Sequence, residues 1–510
     1  MKVHLLYRDR DADFECSLPE NADALTQDLG LDALLDAMGN RDFFIRGISR
    51  HSLLTGLRTP VEIRYRLDAL ADCLRHGEVV RQLYQLAVEG VEAPKEARFF
   101  WMRDSADAQR QKALRMLELL TDILKRLRQI ADAHGREFGS EAFSSFFSML
   151  QAELDDPYLA LLDEQLQVLG FRNGALISAT LGPGNRGKNF VLRKPRSRGL
   201  IDRLTPTGLR GMGFSVSTRD EFGMRALGEL RDRGVAQAAN ALAQSTDHVL
   251  GFFATLRAEL AFYTACLNLR AALDERGAPV TLPEPADAEG HALSCHGLVD
   301  AVLVLHSNAG AVGSDLDADG SRLLVITGAN EGGKSTFLRS LGVAQLMLQA
   351  GMFVTAESFR ASVTSGVFSH FKREEDASMR SGKLDEELQR MSAIAEQIRP
   401  QALLLCNESF ASTNEAEGSE IGSQVVHAFL ENHIRVAYVT HMFDLARGLH
   451  EEGLGGSLFL RAERNADGTR TFRIVPGEPE PTSYGADSFR RIFGRAPGEA
   501  ATRSRRAQSA

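Results

Sequence analysis

At 510 residues, with 44% apolar and 25% charged side chains, the chain has material for three or four ordinary domains with sizeable cores, which excludes a disordered or fibrous protein. A formal net charge of −9 gives no whole-molecule attraction for nucleic acid, so binding of that kind would need a local basic patch. Five scattered cysteines (Cys16, Cys73, Cys266, Cys295, Cys406) lack metal-ligand spacing, no apolar run comes near the ~18 residues of a membrane span, and Lys2, Arg8, Asp9 and Arg10 stand where a secretory segment would be apolar; the expectation is a cytoplasmic protein away from membranes.

Residues 1–40 read as a lead-in with a strand over Val3–Tyr7 and weak helical signals after it. From 41 to 168 apolar residues recur at helical spacing with few breakers, and Pro60 sits well at a helix start, so long helices are predicted. The character changes over 169–220. There ALISATL and KNFVLR are predicted as two strands, with a further short strand at GFSVS. The intervening GPGNRG (Gly182 to Gly187) fits G-x-G-x-x-G, but strand-like segments flank it and no helix follows, so it is a hairpin turn and not a dinucleotide site. Between Arg172 and Arg210 nine cations face a single acid, Asp202. Arg186, Lys188, Arg193, Lys194, Arg196 and Arg198 are the candidate DNA contacts, the alternative being a solvated face.

Helical periodicity returns over 221–278, and a Pro- and Ala-rich linker then opens a segment running to 495. In it LLVIT, ALLLC and RVAYVT are short apolar runs separated by helical patterns, which predicts a parallel sheet covered on both faces. SLFLRA and TFRIV, joined through Asp467 and Gly468, are predicted to form a closing hairpin, and 496–510 is a polar, basic, disordered tail.

After LLVIT comes TGANEGGKST, Thr327 to Thr336, which fits G-x-x-x-x-G-K-[ST] through Gly328, Gly333, Lys334 and Ser335. Between a strand and a helix N-terminus such a loop cradles phosphates: its N–H groups and the helix dipole face the anion, Lys334 reaches the β/γ oxygens, and the Ser335 hydroxyl ligates Mg²⁺. ATP with Mg²⁺ is the expected cofactor pair.

The stretch from Thr327 to Ala356, followed in order by ASMRSGKLDEELQRM, LLLCNESFASTNEAEG, VTHMFDLA and SYG, resembles the ATPase domain of the MutS family of DNA mismatch repair proteins, and Ile45 to Leu70 is similar to the start of that family's helical core and lever. The resemblance implies a multidomain protein: a helical core and lever carrying a small β-rich, clamp-like insertion, and an α/β P-loop ATPase domain of ABC type with a largely parallel sheet. It implies that Gly328, Asn330, Gly332, Gly333, Lys334, Ser335 and Thr336 hold the nucleotide. Glu408 would be the general base, His441 the γ-phosphate sensor, and Ser335, Asn407 and Glu408 the metal side of the site. Ser381 and Glu386 match residues that complete a partner subunit's site, which implies a homodimer through the ATPase domains.

Several residues depart from the family. Asn407 stands where an aspartate organises Mg²⁺, which implies weaker metal binding and slower turnover; Lys383 replaces an aromatic near the subunit contact; Ser314 replaces an asparagine on the adenine side. Glu331 puts an acid in the phosphate loop and is expected to point to solvent. The implied function is an ATP-switched dimeric clamp on duplex DNA. Its rivals are a nucleotide-sensing scaffold with little hydrolysis and a binder of branched DNA or structured RNA. The F-x-E pattern of mismatch reading occurs only at Phe429 to Glu431, inside a helical pattern, and about 40 residues precede the helical core where such a domain needs on the order of 100. Little preference for a single mismatch is therefore expected.

Overall fold

The computed structural model describes residues 1–97, 105–171, 175–185, 187–193, 215–217, 219–307, 310–373, 382–465 and 469–480. In chain order the described elements begin with helices α1 (Ala22–Asp28), α2 (Leu31–Gly39), α3 (Phe43–Thr55), α4 (Pro60–Arg75), α5 (Gly77–Ala97), α6 (Ala106–His134), α7 (Glu141–Glu153) and α8 (Asp156–Leu169). Strands β1 (Leu176–Leu181) and β2 (Gly187–Arg193) and the helix α9 (Glu221–Asp274) follow. The remainder alternates: β3 (Glu284–Ala286), β4 (Leu293–Leu298), α10 (Ala301–His306), β5 (Ser314–Asp317), β6 (Leu323–Thr327), α11 (Lys334–Gln349), β7 (Ser358–Ser362), β8 (Val367–Phe371), α12 (Lys383–Gln397), β9 (Leu403–Asn407), α13 (Glu415–Glu431), β10 (Arg435–Val439), α14 (Phe443–Glu451), β11 (Ser457–Arg464) and β12 (Arg470–Pro476).

Two compact units result: Met1–Leu5 with Glu78–Leu260, and Leu6–Gly77 with Ala261–Ala510. These cuts fall at other places than the sequence boundaries, since most of the lead-in and the first helices group with the C-terminal half. The strand expected over Val3–Tyr7 does not form; this segment is irregular, with Val3, Leu5 and Leu6 buried.

The first unit is helical because its apolar residues repeat every three to four positions. Leu114 and Leu117 of α6, Leu166 of α8 and Leu242 of α9 meet in one cluster. Side-chain caps fix the helix starts: Ser105 accepts from Ala108 N–H, Ser140 from Phe143 N–H and Asp155 from Tyr158 N–H. β1 and β2 pair antiparallel around a short 3₁₀ turn, Pro183–Asn185, so GPGNRG is a hairpin turn with no helix after it. The strand expected at GFSVS falls partly outside the described residues, and its described part, 215–217, has no regular structure. α9 contains a stretch long and apolar enough to cross a membrane by length and composition, which corrects the expectation that no run comes near that; 61% of the stretch is buried inside the protein.

The second unit holds a six-stranded sheet in the order β12-β11-β6-β10-β9-β8. β11, β6, β10, β9 and β8 are parallel to one another, and only β12 runs against its neighbour β11, in the expected closing hairpin; its turn residues Asp467 and Gly468 lie outside the described set. Near-continuous apolar strands suit a sheet buried on both faces. Val325, Leu404, Cys406, Val436 and Tyr438 pack with Val426, Phe429 and Leu445 from the covering helices and with Met442 just before α14. Phe429 is thus a core residue, as its helical context implied. A second sheet, β3-β7-β4-β5, carries the chain into β6.

Candidate nucleotide site

The C-terminal ends of β6, β9 and β10 lie side by side in register, with Val439 level with Ile326 and with Asn407. Crevices outside the carboxyl ends of parallel strands are where such sheets bind ligands, and here the loops after these three strands bring the candidate residues together.

The loop after β6 turns sharply into α11. Gly328 (φ +108) and Gly333 (φ +95) hold backbone conformations that L side chains rarely adopt, and a Cβ on Gly333 would come within 3.1 Å of the Phe472 carbonyl oxygen of β12. The hairpin β11–β12 therefore closes directly over the loop. Gly333 is followed by Lys334 at the first turn of α11, so the helix N-terminus with its unpaired N–H groups faces the crevice. The Lys334 ammonium is folded back on its own loop, donating to the carbonyls of Gly328 (2.9 Å) and Ala329 (3.2 Å). Burial lowers its pKa from the ordinary lysine value, Glu408 opposes the lowering, and Arg470 adds to it. Asn330, Ser335 and Thr336 line the same loop and remain at least partly open to solvent.

Ser335 Oγ donates to Asn407 Oδ1 at 2.8 Å. The amide thus takes the hydrogen bond that its place at the end of β9 allows. The hydroxyl and the amide oxygen are hard oxygen donors of the kind that suits Mg²⁺, though the amide brings no negative charge where a carboxylate would.

Glu408 sits in the turn after β9 at φ +55, a conformation that costs a non-glycine residue of order 1 kcal/mol and that the turn imposes. Two anchors hold that turn: Glu408 N–H donates to Val439 O at 2.9 Å, and Tyr438 OH donates to Ser409 O at 2.8 Å. The Glu408 carboxylate accepts from the backbone N–H of His441 at 3.1 Å and from its ring Nδ1 in a short contact. That hydrogen bond raises the His441 pKa above its ordinary value. The histidine thus orients the Glu408 carboxylate, which also lies within the electrostatic reach of Lys334.

A cleft of about 240 Å³ adjoins Gly333 and Thr336, lined among others by Leu298, Val312, Ser314, Phe337 and Phe472. Ser314 is buried, and its hydroxyl accepts from Ile474 N–H at 3.3 Å. The apolar walls and the ring of Phe472 suit a planar base beside the phosphates.

Glu331 is exposed, as expected, and its carboxylate also pairs with Arg470 Nη1 at 2.6 Å, because β12 brings that guanidinium to the loop. Ser381 lies outside the described residues, and Glu386 pairs with Arg390 of its own helix at 2.8 Å. Of the basic candidates, Lys188 and Arg193 are exposed on β2, with Arg193 Nε donating across the hairpin to Ser178 Oγ at 3.0 Å; Arg186, Lys194, Arg196 and Arg198 are outside the described set. Sequence reasoning missed Arg470, Phe472 and a buried network at His370. None of them carries a local motif, and only tertiary pairing brings them to the site.

Residues 58–276 match the family model of the MutS2 N-terminal domain, and residues 324–493 match that of MutS domain V. The chain belongs to the MutS family. The DNA mismatch repair protein MutS of Porphyromonas gingivalis is 32% identical over 172 residues, which is 32% of this chain and 19% of that protein. The protein of the same name from Caulobacter vibrioides is 32% identical over 175 residues, 33% of this chain and 19% of that one. MutS protein homolog 4 of Mus musculus is 28% identical over 174 residues, 33% of this chain and 18% of that one. The matched part therefore spans under a fifth of the length of these relatives.

Proposed function

We propose that this MutS-family chain is a DNA-binding ATPase in which ATP binding and slow hydrolysis switch a dimeric clamp. The observation that carries the reading is the convergence of Lys334, Ser335, Asn407, Glu408 and His441 at three adjacent strand ends. The triphosphate would lie along the loop from Gly328 to Thr336, taking over the Lys334 ammonium from the two loop carbonyls it now satisfies. The base would enter the cleft at Phe472 and Val312. Bound Mg²⁺ would supply positive charge against the β/γ oxygens. Glu408 accepts a proton from the attacking water, held in line by His441. DNA would meet the β1–β2 hairpin through Lys188, Arg193 and the neighbouring basic residues, by phosphate contact without base reading.

A second reading, nucleotide sensing with little turnover, is favoured by one observation: Asn407 is neutral and already engaged with Ser335. Measuring Mg²⁺-dependent ATP binding and turnover, with and without duplex DNA, decides between them. Lys334→Ala, which should lose nucleotide affinity about a hundredfold while keeping its circular dichroism, serves as the control. Binding without any turnover would establish the sensor, and no ATP binding would sink both readings.

A further inference from the structure

The phosphate loop receives anions, yet its tip carries an acid. Glu331 sits at φ +56, with its carboxylate 2.6 Å from Nη1 of a residue 139 positions further along the chain, Arg470. Arg470 opens β12, the strand whose Phe472 carbonyl would lie 3.1 Å from a Cβ on Gly333. The Arg470 side chain is only 11% exposed against 61% for Glu331, so the cation is the inner partner and the acid the outer one. It is also close enough to Lys334 to oppose that residue's protonation. A second cation therefore stands beside the cradle, and Glu331 neutralises it.

We propose that Glu331 and Arg470 form a displaceable latch: Glu331 occupies Arg470 in the nucleotide-free protein, and the polyphosphate of a bound nucleotide takes Arg470 over. The inference rests on the nucleotide reading above and adds to it a phosphate-binding residue and its gate. The physical grounds are asymmetric. The carboxylate of the pair is largely exposed, so water and salt can take its place and it exchanges readily. A guanidinium matches phosphate geometry with two parallel N–H donors, and a polyphosphate offers more charge than one carboxylate. Displacement of Glu331 would also release the contact between the loop and β12, so occupancy of the site would be felt in the β11–β12 hairpin.

The alternative is that the pair merely pins the hairpin to the loop, and the two roles differ in sign at Glu331. The test titrates Mg·ATP and Mg·ADP into the parental chain and into Glu331→Gln, Arg470→Ala and the double variant, with thermal midpoints measured alongside. The latch requires Glu331→Gln to bind Mg·ATP about tenfold more tightly, because a repelling charge leaves and the carboxylate that competes with the polyphosphate for Arg470 is gone. It requires Arg470→Ala to bind about tenfold more weakly, and the double variant to fall between them. A pin predicts that both single variants weaken binding and lower the midpoint together. That outcome, or a Glu331→Gln affinity within about twofold of parental, overturns the proposal; should Glu331→Gln fold poorly, Glu331→Ala is read in the same way. If the parental chain binds neither nucleotide, the nucleotide reading itself falls, whereas a binding parent with a weakened Glu331→Gln removes the latch alone.

Discussion

The phosphate loop and the basic hairpin place their charged groups in opposite ways. At the loop, Lys334 is buried and satisfied by two carbonyls of its own loop, while Ser335 is bonded to Asn407 and Glu408 to His441, each across to a neighbouring strand's end. On the hairpin, Lys188 and Arg193 are exposed, and the Arg193 side chain bonds across the strands to Ser178 Oγ. Chemistry at a phosphorus atom needs groups held to fractions of an ångström in a dry crevice. Neutralising a nucleic-acid backbone needs only cations within a Debye length of it. The first kind of site should therefore fail sharply at one atom, and the second only gradually with charge.

The largest expected effect tests that sharpness. Glu408→Gln keeps the side chain's size and one oxygen to accept from the His441 N–H, but it removes the base, so ATP turnover should fall about a thousandfold with nucleotide affinity unchanged. Single-turnover hydrolysis and equilibrium binding measured on the same preparation separate the two. Parental turnover in Glu408→Gln would mean that the base lies elsewhere.

The fixed character of the nucleotide unit should extend to groups that touch no ligand. His370 of β8 is fully buried, with Nδ1 2.8 Å from Ser409 Oγ and Nε2 3.0 Å from Glu387 O, so it ties α12 to the turn that carries Glu408. Burial, assisted by Arg390, lowers its pKa to about 4, so it is neutral in the folded protein. Between pH 6.5 and 4 the unfolded chain binds a proton at this position that the folded one does not, so this contribution is lost as pH falls through that window, by about 3 kcal/mol. Glu387 and Asp28, whose carboxyls burial raises, act in the opposite direction, so the quantity to read is the difference between parent and His370→Gln. Denaturant unfolding at several pH values should give a shallower acid slope for the variant. Parallel slopes would show that His370 does not titrate on unfolding.

How much of this was legible in the sequence follows the same division. The loop's glycines, Lys334 and Ser335 are specified within ten residues, because a strand, a turn and a helix start must come in that order; the parallel strands announced themselves as continuous apolar runs. The hydrogen bond from Ser335 to Asn407 joins two residues that the resemblance had put on the same metal side of the site. What could not be read was pairing at long range. Arg470 belongs to an ordinary-looking strand, and nothing near it in sequence points to Glu331. His370 and Ser409 meet only because β8 and β9 are neighbours in the sheet. The strand over Val3–Tyr7 had the right residue types, but tertiary burial of an irregular segment satisfied them instead.

Asn407→Asp sharpens the metal side of the site. An aspartate would still accept from Ser335 and would add a negative charge beside the ion, so hydrolysis should rise about tenfold at limiting Mg²⁺ and the Mg²⁺ midpoint should fall. Turnover measured across a Mg²⁺ series checks both. A slower aspartate variant would mean that the crevice, with Glu408 adjacent, is built for a neutral amide.

The smallest effect belongs to the hairpin, and its form matters more than its size. Lys188→Ala with Arg193→Ala removes two exposed cations without disturbing a buried group, so the fold and the ATPase should be untouched. If both contact phosphates, each releases about 0.9 of a counterion, so the slope of log affinity against log salt should become shallower by about 1.8. The loss should be similar for any duplex sequence, since neither residue is expected to read a base edge. Affinity at moderate salt should fall only several-fold, because the remaining basic residues between Arg172 and Arg210 still attract the backbone. An unchanged salt slope would put the nucleic-acid surface elsewhere on the molecule. A loss confined to one sequence would show that the hairpin reads bases and needs the same fixed geometry as the phosphate loop, which would erase the contrast between the two regions.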